Sequence, residues 1–113
     1  MPTSTLEQPD DLLSHLARFG QTRTWETGTA VVSEGEVADC MYIIHSGELR
    51  PVVIGQGGRL MELNTLGPGD FFGELMLSGG LRAATVEVVV RARLTRVTRA
   101  EVERFVSEGV SAE

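Results

Sequence analysis

The sequence has no lysine; all ten of its basic residues are arginine. A Walker A loop needs a lysine after its glycines and a Schiff-base mechanism needs a lysine amine, so both chemistries are excluded. Cysteine is nearly missing too. Cys40 stands alone, which leaves no intrachain disulfide and no multi-thiolate metal site, and favours a reducing compartment. No run of roughly 18 apolar residues occurs. The opening MPTSTLEQPDDLL lacks the positive and apolar regions of a secretory leader. The expectation is a cytoplasmic protein with no membrane segment. Basic charge is outnumbered, ten residues against sixteen acidic ones for a net charge of −6, which argues against nucleic-acid binding by this chain alone. The two histidines, His15 and His45, form no HxH or HxxxH pair, so a metal site of the usual ligand count is not expected.

What is present suits one small domain. A length of 113 residues with 42% hydrophobic content supplies one core and leaves no room for a second. Glycines recur at Gly28, Gly35, Gly47, Gly57, Gly58, Gly67, Gly69, Gly79 and Gly80, with strand-like runs between them, the rhythm of a β sandwich or barrel. Strands are expected at 22–26, 30–33, 41–46, 48–54, 59–66, 83–90 and 93–97, where β-branched residues dominate. The GQGG run at 55–58 is the clearest hairpin turn. Helices flank this core. Residues 9–19 place Leu12, Leu13, Leu16 and Phe19 on one helical face ahead of Gly20, and Thr98 with Glu101 makes a capping-box pattern ahead of Val102, Phe105 and Val106. Residues 28–36 and 67–74 also rhyme, each running turn, short strand, Gly-Glu.

The segment FFGELMLSGGLRAATV at 71–86 carries the chemistry. Gly67, Gly69 and Gly73 permit close approach of backbone to a ligand, and the residues after Gly73 suit a short helix whose free N–H groups face an anion. Arg82 lies at the entry to a strand and offers a planar fork of donors matching two phosphate oxygens. Glu74 would repel a phosphate. Its presence makes sense when the ligand also carries hydroxyl donors, as a ribose does.

The same segment resembles the phosphate-binding cassette of the cyclic-nucleotide-binding domain family, of the catabolite activator protein and protein kinase A regulatory subunit type. The likeness extends upstream through GTAVVSEGEVADCMYIIHSGELR and covers about residues 20–106. The resemblance implies a mainly β fold, an antiparallel jelly roll with N- and C-terminal helices. It implies a regulatory sensor module without catalytic activity, whose ligand is cAMP, with cGMP the second candidate, and no cofactor. Carried over by position, it places the ribose 2′-OH on Glu74, the cyclic phosphate on Arg82, and a cradle of amides on Gly73, Leu75 and Ala83. Phe72, Met76 and Ala84 complete the implied binding set. Alanine after the arginine favours cAMP in the family, so Ala83 leans the same way.

Two departures accompany the likeness. The spacing from Glu74 to Arg82 is one residue shorter than the commonest family arrangement, which demands a tighter short helix or a tighter turn at Ser78, Gly79 and Gly80. The chain ends at Glu113, about where the base-covering lid helix begins in the family. The expected layout is therefore a single domain over 1–113: an N-terminal helical segment at 1–20, a β roll at 21–97 with its cassette at 71–86, and a C-terminal helix at 98–113 without the lid. Implied partners are the nucleotide and a protein effector or fused output domain, with a homodimer left open. Two other classes compete: a jelly roll serving only as an interaction or dimerisation unit, and a cupin-like metal enzyme. Arg91, Arg93, Arg96 and Arg99 read as the solvated face of a late strand. Trp25, Phe71, Phe72 and Phe105 read as core or pocket wall, and Cys40 as a small buried hydrophobe.

Overall fold

A computed structural model describes residues 9–73 and 79–110. Its elements run α1 (Pro9–Ala17), β1 (Gln21–Trp25), β2 (Ala30–Val32), β3 (Cys40–Ile54), a 3₁₀ turn (Gln56–Gly58), β4 (Leu60–Glu62), β5 (Phe71–Phe72), β6 (Thr85–Thr98), α2 (Arg99–Arg104) and a π-helical stretch (Phe105–Val110). All strands pair antiparallel. The path is β1-β6-β3-β4, with β2 added to β6 and β5 added to β3. This is the antiparallel roll with flanking helices that the sequence led us to expect.

The two long strands are the principal departure from the sequence reading. Residues 41–46 and 48–54, expected as separate strands, form one continuous β3, and 83–90 and 93–97 likewise join into β6. They pair from Cys40 opposite Thr98 to Val52 opposite Thr85, with register shifts between Ile44 and Leu49. Such irregularities add twist and bend a ribbon, which is how two long strands roll rather than lie flat. The expected strand at 59–66 contracts to β4, Leu66 contributing an isolated bridge to Leu49, and β5 is an additional short strand. The GQGG turn does join β3 to β4.

The pleat divides the apolar residues between two cores, because successive side chains point to opposite faces. Cys40, Tyr42 and Ile44 face the inside of the roll with Leu49, Phe72, Val86, Val88 and Leu94. Met41 and Ile43 face outward and meet Leu16 of α1, Val97 and Phe105. Burial on both faces explains the unbroken apolar run MYII. Phe19 and Phe105 meet edge to face at 5.7 Å, linking the two helical ends. The capping box forms as expected: the Thr98 side chain accepts from the Glu101 amide at 3.2 Å and the Glu101 carboxylate accepts from the Thr98 amide at 2.8 Å. Phe71, however, is 45% exposed, because the two-residue strand turns only Phe72 inward.

Arg91, Arg93, Arg96 and Arg99 are all exposed, and Arg91 and Arg99 pair with Glu26 and Glu103. His45 is bonded rather than free, its Nε2 lying 2.5 Å from the Thr95 hydroxyl. Among the described residues no helix is long and apolar enough to cross a membrane. Nor does any group of three or more His, Cys, Asp or Glu side chains gather as a metal site among them.

Gly47 sits in the irregular stretch of β3 with φ +96°, and a Cβ there would fall 2.5 Å from the Ala92 Cα. The bend therefore needs a residue that tolerates positive φ and occupies no space against β6. Gly28 has φ +92° but nothing within 4 Å of its missing Cβ. Alanine at Gly28 carries only the backbone penalty, on the order of 1–3 kcal/mol; at Gly47 it adds overpacking of about 1–3 kcal/mol. In urea unfolding, Gly47→Ala is expected to lower the midpoint well below that of Gly28→Ala. Equal midpoints would show that the ribbon does not depend on this close approach.

Candidate functional site

The position of Arg82 is fixed by its backbone before its side chain is considered. Its amide donates to the Glu36 carbonyl at 2.7 Å, and its carbonyl accepts from the Gly35 amide at 2.9 Å. The Ala38 amide donates to the Gly80 carbonyl at 3.0 Å, and Val37 bridges Leu81. The loop at 33–39 is thus laced to the segment at 79–84, and the rhyme between residues 28–36 and 67–74 acquires a structural counterpart. In each, a short strand lies against one of the two long ones, β2 on β6 and β5 on β3.

The side chain of Arg82 points into the roll, and the residue is only 6% exposed. A guanidinium cannot leave water without compensation. Its Nη2 donates to the Cys40 sulfur at 3.4 Å and lies 3.7 Å from Asp39 Oδ1. Its Nη1 is buried and, among the described residues, has no hydrogen-bond partner. Gly73, with φ +91°, lies directly against it: a Cβ at this position would come 2.6 Å from Nη1 and 3.0 Å from the Cys40 carbonyl oxygen. Only glycine lets the chain pass so close to the charge.

Phe72, Gly73, Arg82, Ala83 and Ala84 line one cavity of about 180 Å³. The structure brings together these five of the residues singled out from the sequence. Glu74, Leu75 and Met76, and with them the expected short helix, lie outside the described residues, as does Ser78; of the expected turn, Gly79 is described as a turn residue with φ +76°. Val32, Pro51, Leu66 and Val86 also line the cavity; sequence reasoning missed them because they come from distant strands and carry no motif. The result is an apolar slot with one cation at its wall. Such a slot suits a ligand with an anionic end and a flat, weakly polar body.

On its other side Arg82 borders a second, more open cavity of about 470 Å³, shared with Asp39, Cys40, Tyr42 and Arg96. Tyr42 stacks on Phe72 at 5.2 Å and meets Trp25 edge to face at 6.1 Å. Burial is the main reason its hydroxyl pKa is pushed up to about 12, and the neighbouring Cys40 adds to the rise while Arg96 and Arg82 oppose it. Arg96 is drawn down by its own desolvation but held above its ordinary value by Cys40, Tyr42 and Asp39. None of these partners announced itself in the sequence. Asp39 and Cys40 precede an apolar run and match no ligand-binding spacing on their own.

Comparison with known proteins assigns the chain to a family. The family model described as the Cyclic nucleotide-binding domain matches residues 22–108. The cAMP-dependent protein kinase regulatory subunit of Yarrowia lipolytica is 36% identical over 81 residues, covering 71% of this chain and 21% of that protein. In the structure of the regulatory domain of Toxoplasma gondii PKA with cAMP, the likeness covers 88% of this chain and 38% of that one, at 33% identity and a TM-score of 0.74. The catabolite activator protein of Thermus thermophilus covers 93% of this chain, which spans 48% of it, at 25% identity and a TM-score of 0.78. The chain thus corresponds to about a fifth of the kinase subunit it matches.

Tyr42 is the one tyrosine in the sequence, so its titration can be followed by phenolate absorbance without assignment. Burial places the midpoint of the hydroxyl's ionisation in the folded protein at about 12, whereas an unfolded chain releases the proton near the ordinary value of 10.0. The stabilisation from this preference is complete below pH 10 and is lost as pH rises towards 12. A native midpoint near 10 would show that the stacked, buried environment of Tyr42 is wrong.

Proposed function

Because the chain belongs to the cyclic nucleotide-binding domain family, we propose that it is a regulatory module that binds cAMP, with Arg82 on the cyclic phosphate and Glu74 on the ribose 2′-OH. The observation that carries this reading is the Arg82 guanidinium. It is buried, its Nη1 has no partner among the described residues, and it stands at the wall of an apolar cavity. A buried unsatisfied donor costs free energy unless something occupies it, and a phosphate oxygen has the required charge and acceptor geometry. Gly73 and Ala83, proposed with Leu75 as amide donors, border the same space. The apolar remainder, from Val32, Pro51, Leu66 and Val86, suits a purine and sugar.

A jelly roll retained only for protein contacts would have no use for a guanidinium held in this way, which weighs against that reading. The likeness to a kinase regulatory subunit and to a catabolite activator protein supports a role in which nucleotide occupancy is passed to an effector or fused output domain. The single-domain layout, the cytoplasmic setting, the lack of any cofactor and the preference for cAMP over cGMP through Ala83 belong to the same proposal.

Calorimetric titration with cAMP and cGMP tests it. Removing one partner of a buried charge pair costs about 2–5 kcal/mol, so Arg82→Ala is expected to weaken cAMP binding by roughly 30-fold to several thousand-fold. Arg93→Ala, on the exposed face of β6, serves as the near-neutral control. Failure of wild type to bind either nucleotide, or a loss below about threefold in Arg82→Ala, overturns the assignment.

The ribose role is tested separately. A hydrogen bond to a charged acceptor contributes roughly 1.5–3 kcal/mol, so wild type should prefer cAMP over 2′-deoxy-cAMP and Glu74→Gln should narrow the gap. Equal affinity of wild type for the two nucleotides removes Glu74 from the ribose.

A further inference from the structure

We infer that Cys40 is a positioning residue: its sulfur pins one side of the Arg82 guanidinium so that the opposite nitrogen is held ready for an anion. The inference rests on the assignment of Arg82 to the nucleotide phosphate and adds to it the means by which that group is kept in place. Arginine side chains are rich in rotamers, and freezing one at the moment of binding costs affinity. Arg82 is already held before a ligand arrives. Its two terminal nitrogens are in different situations, Nη2 on the Cys40 sulfur and Nη1 beside Gly73 without a partner among the described residues.

Two groups hold Nη2, and they differ in solvent access. The Asp39 side chain is 70% exposed and lies 3.7 Å away, so water screens much of its pull. Cys40 is 2% exposed and accepts at 3.4 Å. Its backbone is anchored by pairing with Thr98 at the end of β6, and its carbonyl lies under Gly73. The sulfur, the guanidinium and the glycine therefore form one stack that leaves the Arg82 plane little freedom. Sulfur is a weak but polarizable acceptor. Tyr42 and Arg96 also interact electrostatically with Cys40 and line the same cavity as Arg82.

Substitution separates positioning from space filling, because the two roles rank the variants in opposite orders. A small hydrophobe is replaced better by alanine than by serine, since a serine buries a hydroxyl. An acceptor is replaced better by serine. Cys40→Ser is expected to bind cAMP within about twofold of wild type, and Cys40→Ala about 3- to 10-fold more weakly, without a matching loss of thermal stability. Nitrogen NMR of the nucleotide-free protein supplies a readout independent of binding. Arg82 should show separate Nη1 and Nη2 signals from hindered rotation in wild type and Cys40→Ser, merging in Cys40→Ala, whereas the exposed Arg93 stays averaged throughout. Averaged Arg82 signals in wild type, or Cys40→Ala binding as tightly as wild type, overturns the inference. Absence of nucleotide binding by wild type with the Arg82 signals resolved overturns the functional assignment while leaving the pinned guanidinium in place.

Discussion

The pairing of β3 with β6 is the constraint on which the remainder of the molecule rests. Every other strand attaches to one of these two: β1 and β2 to β6, and β4 and β5 to β3. The ribbon cannot stay flat, because apolar side chains on both its faces must be covered. It meets this demand by bending where Gly47 passes Ala92, one face closing into the roll and the other receiving Leu16 and Phe105. The cavity beside Arg82 is a product of that closure. Val32 and Val86 reach it from β2 and β6, Pro51 and Phe72 from β3 and β5.

A polar arrangement is then fitted into this apolar frame. Burying an arginine is tolerable when its backbone is tied down and its charge is partly answered, and both conditions hold for Arg82. The loop at 33–39 supplies hydrogen bonds to its amide and carbonyl, and Asp39 and Cys40 attend to one end of its fork. Among the described residues, what stays without a hydrogen-bond partner is Nη1, which stands at the wall of a mainly apolar cavity.

Much of this was legible in the sequence, for identifiable reasons. Turn chemistry at 55–58, the capping box at Thr98 and Glu101, and the β-branched runs are local signals, and local signals survive without tertiary context. Phe72, Gly73, Arg82, Ala83 and Ala84 could be singled out because they lie within one short segment, and the structure sets them around one cavity. The merging of four expected strands into β3 and β6 could not be read. Gly47 looks like a turn residue until Ala92 is known to lie against it, and the polar run around Arg91 and Arg93 looks like a break until β1 is seen pairing alongside. The partners of Arg82 were hidden for a similar reason. Cys40 is buried, as a small hydrophobe would be, but the sequence holds nothing to show that it also faces a charge arriving from forty residues downstream.

The bridge between Cys40 and Thr98 has a mechanical side. Thr98 is both the last residue of β6 and the N-cap of α2, while Cys40 is both the first residue of β3 and a contact of the Arg82 guanidinium. A single rung of the ladder therefore joins the charge at the cavity wall to the cap from which α2 departs. The guanidinium and the start of α2 thus share one frame, and the stretch that follows α2 is fixed in turn by Phe105 against Phe19.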